Sequence, residues 1–256
     1  VTETISNAAV DALYGTMERL TDLLPGAFTR QGPHGGRLVC TGLPVALLNA
    51  VYAGHGQDPR ETAELAEELS AAGLPWSIQA RGEAGPELTA LAARHGLTAT
   101  TTLPLLAWDA ASLPELPAAA STGGTVAKLT GAESARYSAA LAAGFGMPGE
   151  IADAFALPAL LDAPDMTAFT LDVDGEAVAT GFNVMVGDHV GLFNGSVPPR
   201  HRGNGHYRAL VTARLRDAVA AGARHAFTQN SPMSRPLYES LGFRLVENWT
   251  YLTPAG

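Results

Sequence analysis

The sequence predicts an α/β (α+β) chain made twice over, two mixed sheets flanked by helices, with the chemistry in the second. Three observations lead there. Helical and extended runs alternate through both halves. Residues 113–125 (LPELPAAASTGGT) carry no period and have linker composition. Short sequences of the first half recur in the second at an offset near 145. At 256 residues the chain is long for one domain and suits two of about 120 each. The expected division is a first domain at 1–112, a linker at 113–123 and a second domain at 124–256.

The second half opens on an extended run at 126–129. Thr130-Gly-Ala-Glu133 is a capping box and starts a helix to about Ala143. A further helical segment, about 150–161, is interrupted by Pro158. Three extended runs follow at 166–173, 176–186 and 189–197, parted by the turn pairs Asp174-Gly175 and Gly187-Asp188. Leu210, Val211, Leu215 and Val219 recur at helical spacing over 206–221. A strand near 224–229, a helix near 232–241 and an extended run at 243–252 close the chain.

The first half repeats part of this order. Leu47-Leu-Asn49-Ala-Val51 resembles Leu192-Phe-Asn194-Gly-Ser196, each followed by a helix ending in Ala-Ala-Gly, at 71–73 and 220–222. His95-Gly96-Leu97 then faces Leu241-Gly242-Phe243. An internal duplication is expected, compatible with a monomer and also with a dimer.

Composition narrows the functions. Apolar residues make up 46% and charged ones 16%, which excludes disorder. The longest apolar stretch, 43–54, contains Asn49 and is too short for a bilayer, so no membrane association is expected. The opening residues do not read as a signal peptide, and a cytoplasmic protein is expected. Cys40 stands alone in an apolar run and reads as a core residue, and no Cys/His set has zinc spacing, so no metal is expected. The net charge is −9, yet six arginines fall between Arg200 and Arg224 with Asp217 the one acid among them. An acidic chain with one basic stretch is unsuited to nucleic acid and suited to a small polyanion bound at one place.

That place is Val197-Pro-Pro-Arg-His-Arg-Gly-Asn-Gly-His-Tyr-Arg-Ala-Leu210, where a strand gives way to a glycine-rich turn and a helix. Glycines let several amide groups converge, and the helix N-terminus adds positive potential. A pyrophosphate suits it, although neither the Walker pattern nor a third glycine for the dinucleotide fingerprint is there. About 25 residues on comes Asn230-Ser-Pro-Met-Ser234-Arg-Pro-Leu-Tyr238-Glu-Ser-Leu-Gly242-Phe243.

Together the two segments resemble the GNAT superfamily of acyl-CoA-dependent N-acyltransferases, over about 124–253. The family pattern is Arg/Gln-x-x-Gly-x-Gly/Ala after a strand ending in Val, then Asn-x3-Ala/Ser-x3-Tyr-x-x-x-Gly-Phe. Counted from both flanks, the loop reads Arg202-x-x-Gly205-x-Tyr207, with tyrosine where the family has Gly or Ala. A second register, Arg200-x-x-Gly203-x-Gly205, shifts both flanks by two. Tyr207 bears on how closely the backbone approaches a phosphate; a side chain turned away leaves the loop intact.

The resemblance implies a tandem GNAT-like fold with the catalytic copy C-terminal and a degenerate copy first. It implies that Arg202, Gly203, Asn204, Gly205, His206 and Tyr207 hold the CoA pyrophosphate. Gly195, Ser196 and Val197 would pair with the pantetheine arm, with Asn230 and Ser234 beside it. Tyr238 would protonate the departing thiolate, a role open to a phenol. Acetyl-CoA is the implied acyl donor and a primary amine on a small molecule the acceptor. A non-catalytic CoA-binding or interaction module, and a transferase using a carrier-protein thioester, stand as alternatives. No base is assigned: Glu150, His189 and Glu247 are the candidates. In the first half Ala92 stands where Tyr238 does, and the loop at 54–60 lacks the arginine-glycine spacing and contains an acid.

Overall fold

The computed structural model describes residues 2–54, 58–116 and 123–255. The middle of the expected linker, 117–122, and residues 55–57 of the first-half loop lie outside them. In chain order the elements are α1 (Thr2–Leu23), β1 (Phe28–Gln31), β2 (Arg37–Cys40), β3 (Asn49–Ala53), α2 (Pro59–Ser70), β4 (Ser77–Arg81), α3 (Pro86–Arg94) and β5 (Ala99–Asp109). Then come β6 (Thr125–Leu129), α4 (Ser134–Phe145), α5 (Gly149–Phe155), α6 (Pro158–Leu161), β7 (Met166–Val173), β8 (Glu176–Val186), β9 (His189–Ser196), α7 (His206–Ala220), β10 (His225–Gln229), α8 (Arg235–Ser240) and β11 (Arg244–Thr253).

Local chemistry explains most boundaries. The Thr130–Glu133 capping box is present and opens a 3-10 turn that runs into α4. Pro158 divides the segment 150–161 into α5 and α6, at whose first turn its missing N–H costs nothing. Asp174 and Gly175 both have positive φ, 50° and 81°, as a two-residue hairpin turn requires. The last helix starts at Arg235 rather than 232, because residues 231–234 form a turn closed by Ser234 N–H on the Ser231 carbonyl. Helix α1 was not legible; its buried stripe of Ala9, Leu13 and Met17 is diluted by Thr and Asn.

The chain forms two compact units, one of residues 1–16 and 106–244, the other of 17–105 and 245–256. The division expected from sequence ran along the chain, whereas the units exchange ends. In the second unit β1, β2 and β3 are antiparallel neighbours and β4 is parallel to β3. Beyond β4 lies β11, antiparallel, with Trp249 opposite Arg81 and Leu252 opposite Ile78. The last strand therefore belongs with the first-half sheet, because its ladder is there. Its Leu252 joins Leu38, Val51, Leu69 and Ile78 in that core.

In the first unit β6, β7, β8 and β9 are antiparallel neighbours and β10 runs parallel to β9, followed by the end of β5. Leu210 of α7 packs on Phe169, Leu171 and Ala179, and Val211 and Leu215 pack with Val190, Leu192 and Ala226.

The order β-β-β-α-β-α-β thus occurs twice, as β1 to β5 and as β7 to β11, with the same senses over the first four strands of each. The helix ends repeat in detail: Leu97 N–H bonds the Ala92 carbonyl at 2.9 Å, as Phe243 N–H bonds that of Tyr238 at 3.1 Å. The pairing of Asn49 with Asn194, however, does not hold. Asn49 opens β3, while Asn194 lies near the end of β9.

Candidate functional site

The site grows from the end of β9. Parallel pairing with β10 covers three positions, His189–His225 to Gly191–Phe227, and stops. Next to it, Thr228 Oγ1 rather than an amide reaches the Leu192 carbonyl, at 2.9 Å. On the other side of β9 the register with β8 shifts between Thr180–Ser196 and Phe182–Phe193, so Asn194 and Gly195 form a bulge. Asn194 has φ 51°, uncommon outside glycine, and the Thr180 hydroxyl fixes it by donating to its carbonyl at 2.9 Å. The sequence signal was the Asn-Gly pair inside an extended run.

Beyond Ser196 the chain makes a single 3-10 turn and the loop that leads into α7. Gly203 and Gly205 both have positive φ, 81° and 78°, and Gly205 caps the helix. Among the described residues, the amides from Gly203 to Arg208 have no acceptor in the protein. They are a row of free donors at the positive end of a 15-residue helix, an arrangement that suits an anion. Arg202 Nε donates to the Val197 carbonyl at 3.0 Å, which anchors its guanidinium at the loop. Arg200 instead pairs with Glu176, which His201 also approaches. Asn204 Nδ2 donates to the His201 carbonyl at 3.3 Å.

A cleft of about 570 Å³ joins these parts. Gly195, Ser196, Val197, Arg202, Gly203, Gly205, His206, Tyr207 and Ser234 all line it. Gly144 and Phe145 of α4 and Met233 also face it, and had not been singled out in the sequence; Phe145 and Met233 are exposed apolar side chains. Gly144 is required for the approach of α4, since a methyl group there would overlap Ser196 Oγ. Asn204 is not among the lining residues. Asn230 is buried, and neither Oδ1 nor Nδ2 has a partner. An amide desolvated at both ends, beside a strand gap, is an unmet hydrogen-bonding demand.

Tyr238 does not reach the cleft wall. It is buried against Phe243, its ring edge-on at 5.1 Å between centroids. Its hydroxyl lies 2.7 Å from that of Tyr207, which does line the cleft. The Tyr207 side chain therefore turns inward, its hydroxyl directly over Gly195, where no Cβ would fit. Burial, and then the adjoining Tyr238, push the Tyr207 phenol well above its ordinary value, against the lowering pull of Arg214. Arg214, on the same face of α7, is wholly buried and held by Asn183 Oδ1 at 2.8 Å and the Phe182 and Phe193 carbonyls at 2.6 and 3.1 Å.

Among the described residues no carboxylate lines the cleft. Of the candidate bases, Glu247 is paired with Arg81 at 2.9 Å in the other unit, and His189 is held by Asp188 at the opposite end of β9 from Ser196. Glu150 is exposed in the first turn of α5. Cys40 is buried in β2. Among the described residues no group of three or more His, Cys, Asp and Glu could hold a metal ion, and no helix is long and apolar enough to cross a membrane.

The other unit has a different helix start. Pro59 lacks an amide hydrogen, and the Asp58 carboxylate takes the Arg60 amide at 2.9 Å. That N-terminus is already capped by a negative charge.

The chain is similar in fold to several solved structures. A GCN5-related N-acetyltransferase from Kribbella flavida matches at 21% identity and TM-score 0.65, over 98% of this chain and 95% of that one. A GCN5-related N-acetyltransferase from Sphaerobacter thermophilus matches at 16% and 0.56, over 87% and 82%. A tandem GNAT protein from the clavulanic acid biosynthesis pathway matches at 16% and 0.56, over 91% and 86%. No curated protein matches the sequence. Residues 138–243 match the model of the Acetyltransferase (GNAT) family, so the chain carries a GNAT acetyltransferase domain there, within a fold it shares with the GCN5-related N-acetyltransferases.

Proposed function

We propose that the protein transfers an acyl group, acetyl or another short chain, from acyl-CoA to a primary amine of a small molecule. The observation that carries this is the run of amides without acceptors at 203–208, beside the open edge of β9. Pyrophosphate on those amides, with Arg202 alongside, points the pantetheine arm along Val197, Ser196 and Gly195. Asn230 supplies a donor and an acceptor for the amides of that arm, and Ser234 lies across from it. The fit is chemical: an anion needs amides and positive charge, and an amide-bearing chain needs unpaired polar groups in a strand gap.

The thioester end then lies at the Asn194–Gly195 bulge, where the backbone is turned out of the ladder. A neutral amine attacks directly, without an enzyme-bound acyl group, and the proton for the leaving thiolate comes from the Tyr238 phenol, which stands behind Tyr207 rather than at the cleft wall. Of the first half and the second, expected from sequence as 1–112 and 124–256, the first acts structurally and the second carries the chemistry, the second lending β11 to the unit of the first, since Ala92 replaces the phenol and Asp58 occupies the helix start.

Thermal unfolding with and without acetyl-CoA tests the reading. A ligand at 100 times its Kd stabilises by about 2.7 kcal/mol, which raises Tm by roughly 5–10 °C for a chain of this size. No shift with either acetyl-CoA or free CoA overturns a CoA site.

A further inference from the structure

We propose that Tyr207 is the group that meets the CoA sulfur, and that Tyr238 acts through it as the second member of a two-phenol proton relay. The proposal rests on the acyl-CoA reading above and assigns the acid of that reaction. Four observations support it. Tyr207 lines the cleft and Tyr238 does not. The Tyr207 hydroxyl stands over Gly195, on the bulge toward which the pantetheine arm runs. The two hydroxyls are 2.7 Å apart, a distance at which one phenol donates to the other. Behind them Arg214 is buried with no carboxylate among its partners, and its Nη1 has none at all. Arg214 pulls the Tyr207 phenol down, against the larger raising effect of its burial.

The proton count closes. As the carbon–sulfur bond breaks, sulfur takes the Tyr207 proton while the Tyr207 oxygen takes that of Tyr238. The Tyr238 oxygen recovers its proton back through the Tyr207 hydroxyl, which reaches the water of the cleft, and the proton lost by the amine returns to water. One N–H of the amine is exchanged for the S–H of CoA. The same geometry explains why a tyrosine can occupy this place in a phosphate loop. The amide of Tyr207 has no acceptor in the protein, while its side chain runs to Gly195 and Tyr238.

The test compares binding of CoA with desulfo-CoA, in which hydrogen replaces the thiol, by calorimetry. Wild type is expected to bind CoA about 3–10-fold more tightly, the worth of one hydrogen bond to sulfur. Tyr207→Phe keeps the ring and is expected to bind desulfo-CoA as wild type does, but to lose the preference for CoA. Tyr238→Phe is expected to keep it. A preference that survives Tyr207→Phe, or is abolished by Tyr238→Phe alone, overturns the assignment and leaves the CoA site standing. No preference in wild type overturns it as well. If wild type binds neither compound, the acyl-CoA reading falls, and the relay with it.

Discussion

Asn49 is held through both ends of its amide: its oxygen accepts from Thr41 N and Oγ1, and its two N–H groups are shared among the carbonyls of Leu43, Pro75 and, at 3.3 Å, Val45. Asn49→Ala should therefore cost roughly 2–4 kcal/mol, because several buried groups lose their partners at once. Urea unfolding measures it, and a loss under about 0.5 kcal/mol would contradict the network. At the same scale the two arginines of the loop divide their work. Arg202→Ala should weaken CoA binding about tenfold, as loss of a charged contact to phosphate does. Arg200→Ala should change it less than about threefold, since that guanidinium is already paired with Glu176. Equal effects would favour the other register of the loop. The buried phenols of Tyr207 and Tyr137 are both raised by burial. Their neutral forms contribute stability that is complete below about pH 10, the unfolded value, and is lost as pH rises through the folded one.

Strand β9 and helix α7 make the site between them, through two departures from regularity. The bulge at Asn194 and Gly195 turns amides out of the ladder, and Gly203 and Gly205 free a row of amides before α7. Gly195 also admits the Tyr207 hydroxyl. Gly195→Ala should destabilise by about 1–3 kcal/mol, the usual cost of overpacking. In a Tyr207→Phe background the same change should cost less, because the nearest overlapping atom is gone. Equal costs in the two backgrounds, read as a double-mutant cycle, would mean that the hydroxyl does not sit there. The loop was legible because Arg-x-x-Gly-x at a strand-to-helix junction is a local pattern with a local cause. The direction of the Tyr207 side chain was not, because residues near 195 and 238 decide it.

Across the whole chain, the units exchange ends: β11 follows α8 in sequence and pairs with β4. A break engineered between residues 116 and 123 leaves β4 on one fragment and β11 on the other. The two fragments should co-purify, held by that ladder and by the Arg81–Glu247 pair at 2.9 and 3.0 Å. Separation without denaturant would show that the ladder does not hold them. Sequence alone determined the elements of the second half, from capping box to closing strand, since periodicity and turn chemistry act over a few residues. It also determined the glycine-rich strand-to-helix loop and the strand–helix order that repeats. It misaligned the repeat at Asn49, because a five-residue likeness says nothing of whether an asparagine opens a strand or bulges near its end. Only the tertiary structure decided that β11 leaves its own repeat, that Glu247 meets Arg81 and that Tyr207 rather than Tyr238 faces the cleft. Each of those outcomes joins residues 31 or more apart in the chain, where packing and hydrogen-bond demand, not local spacing, select the partner.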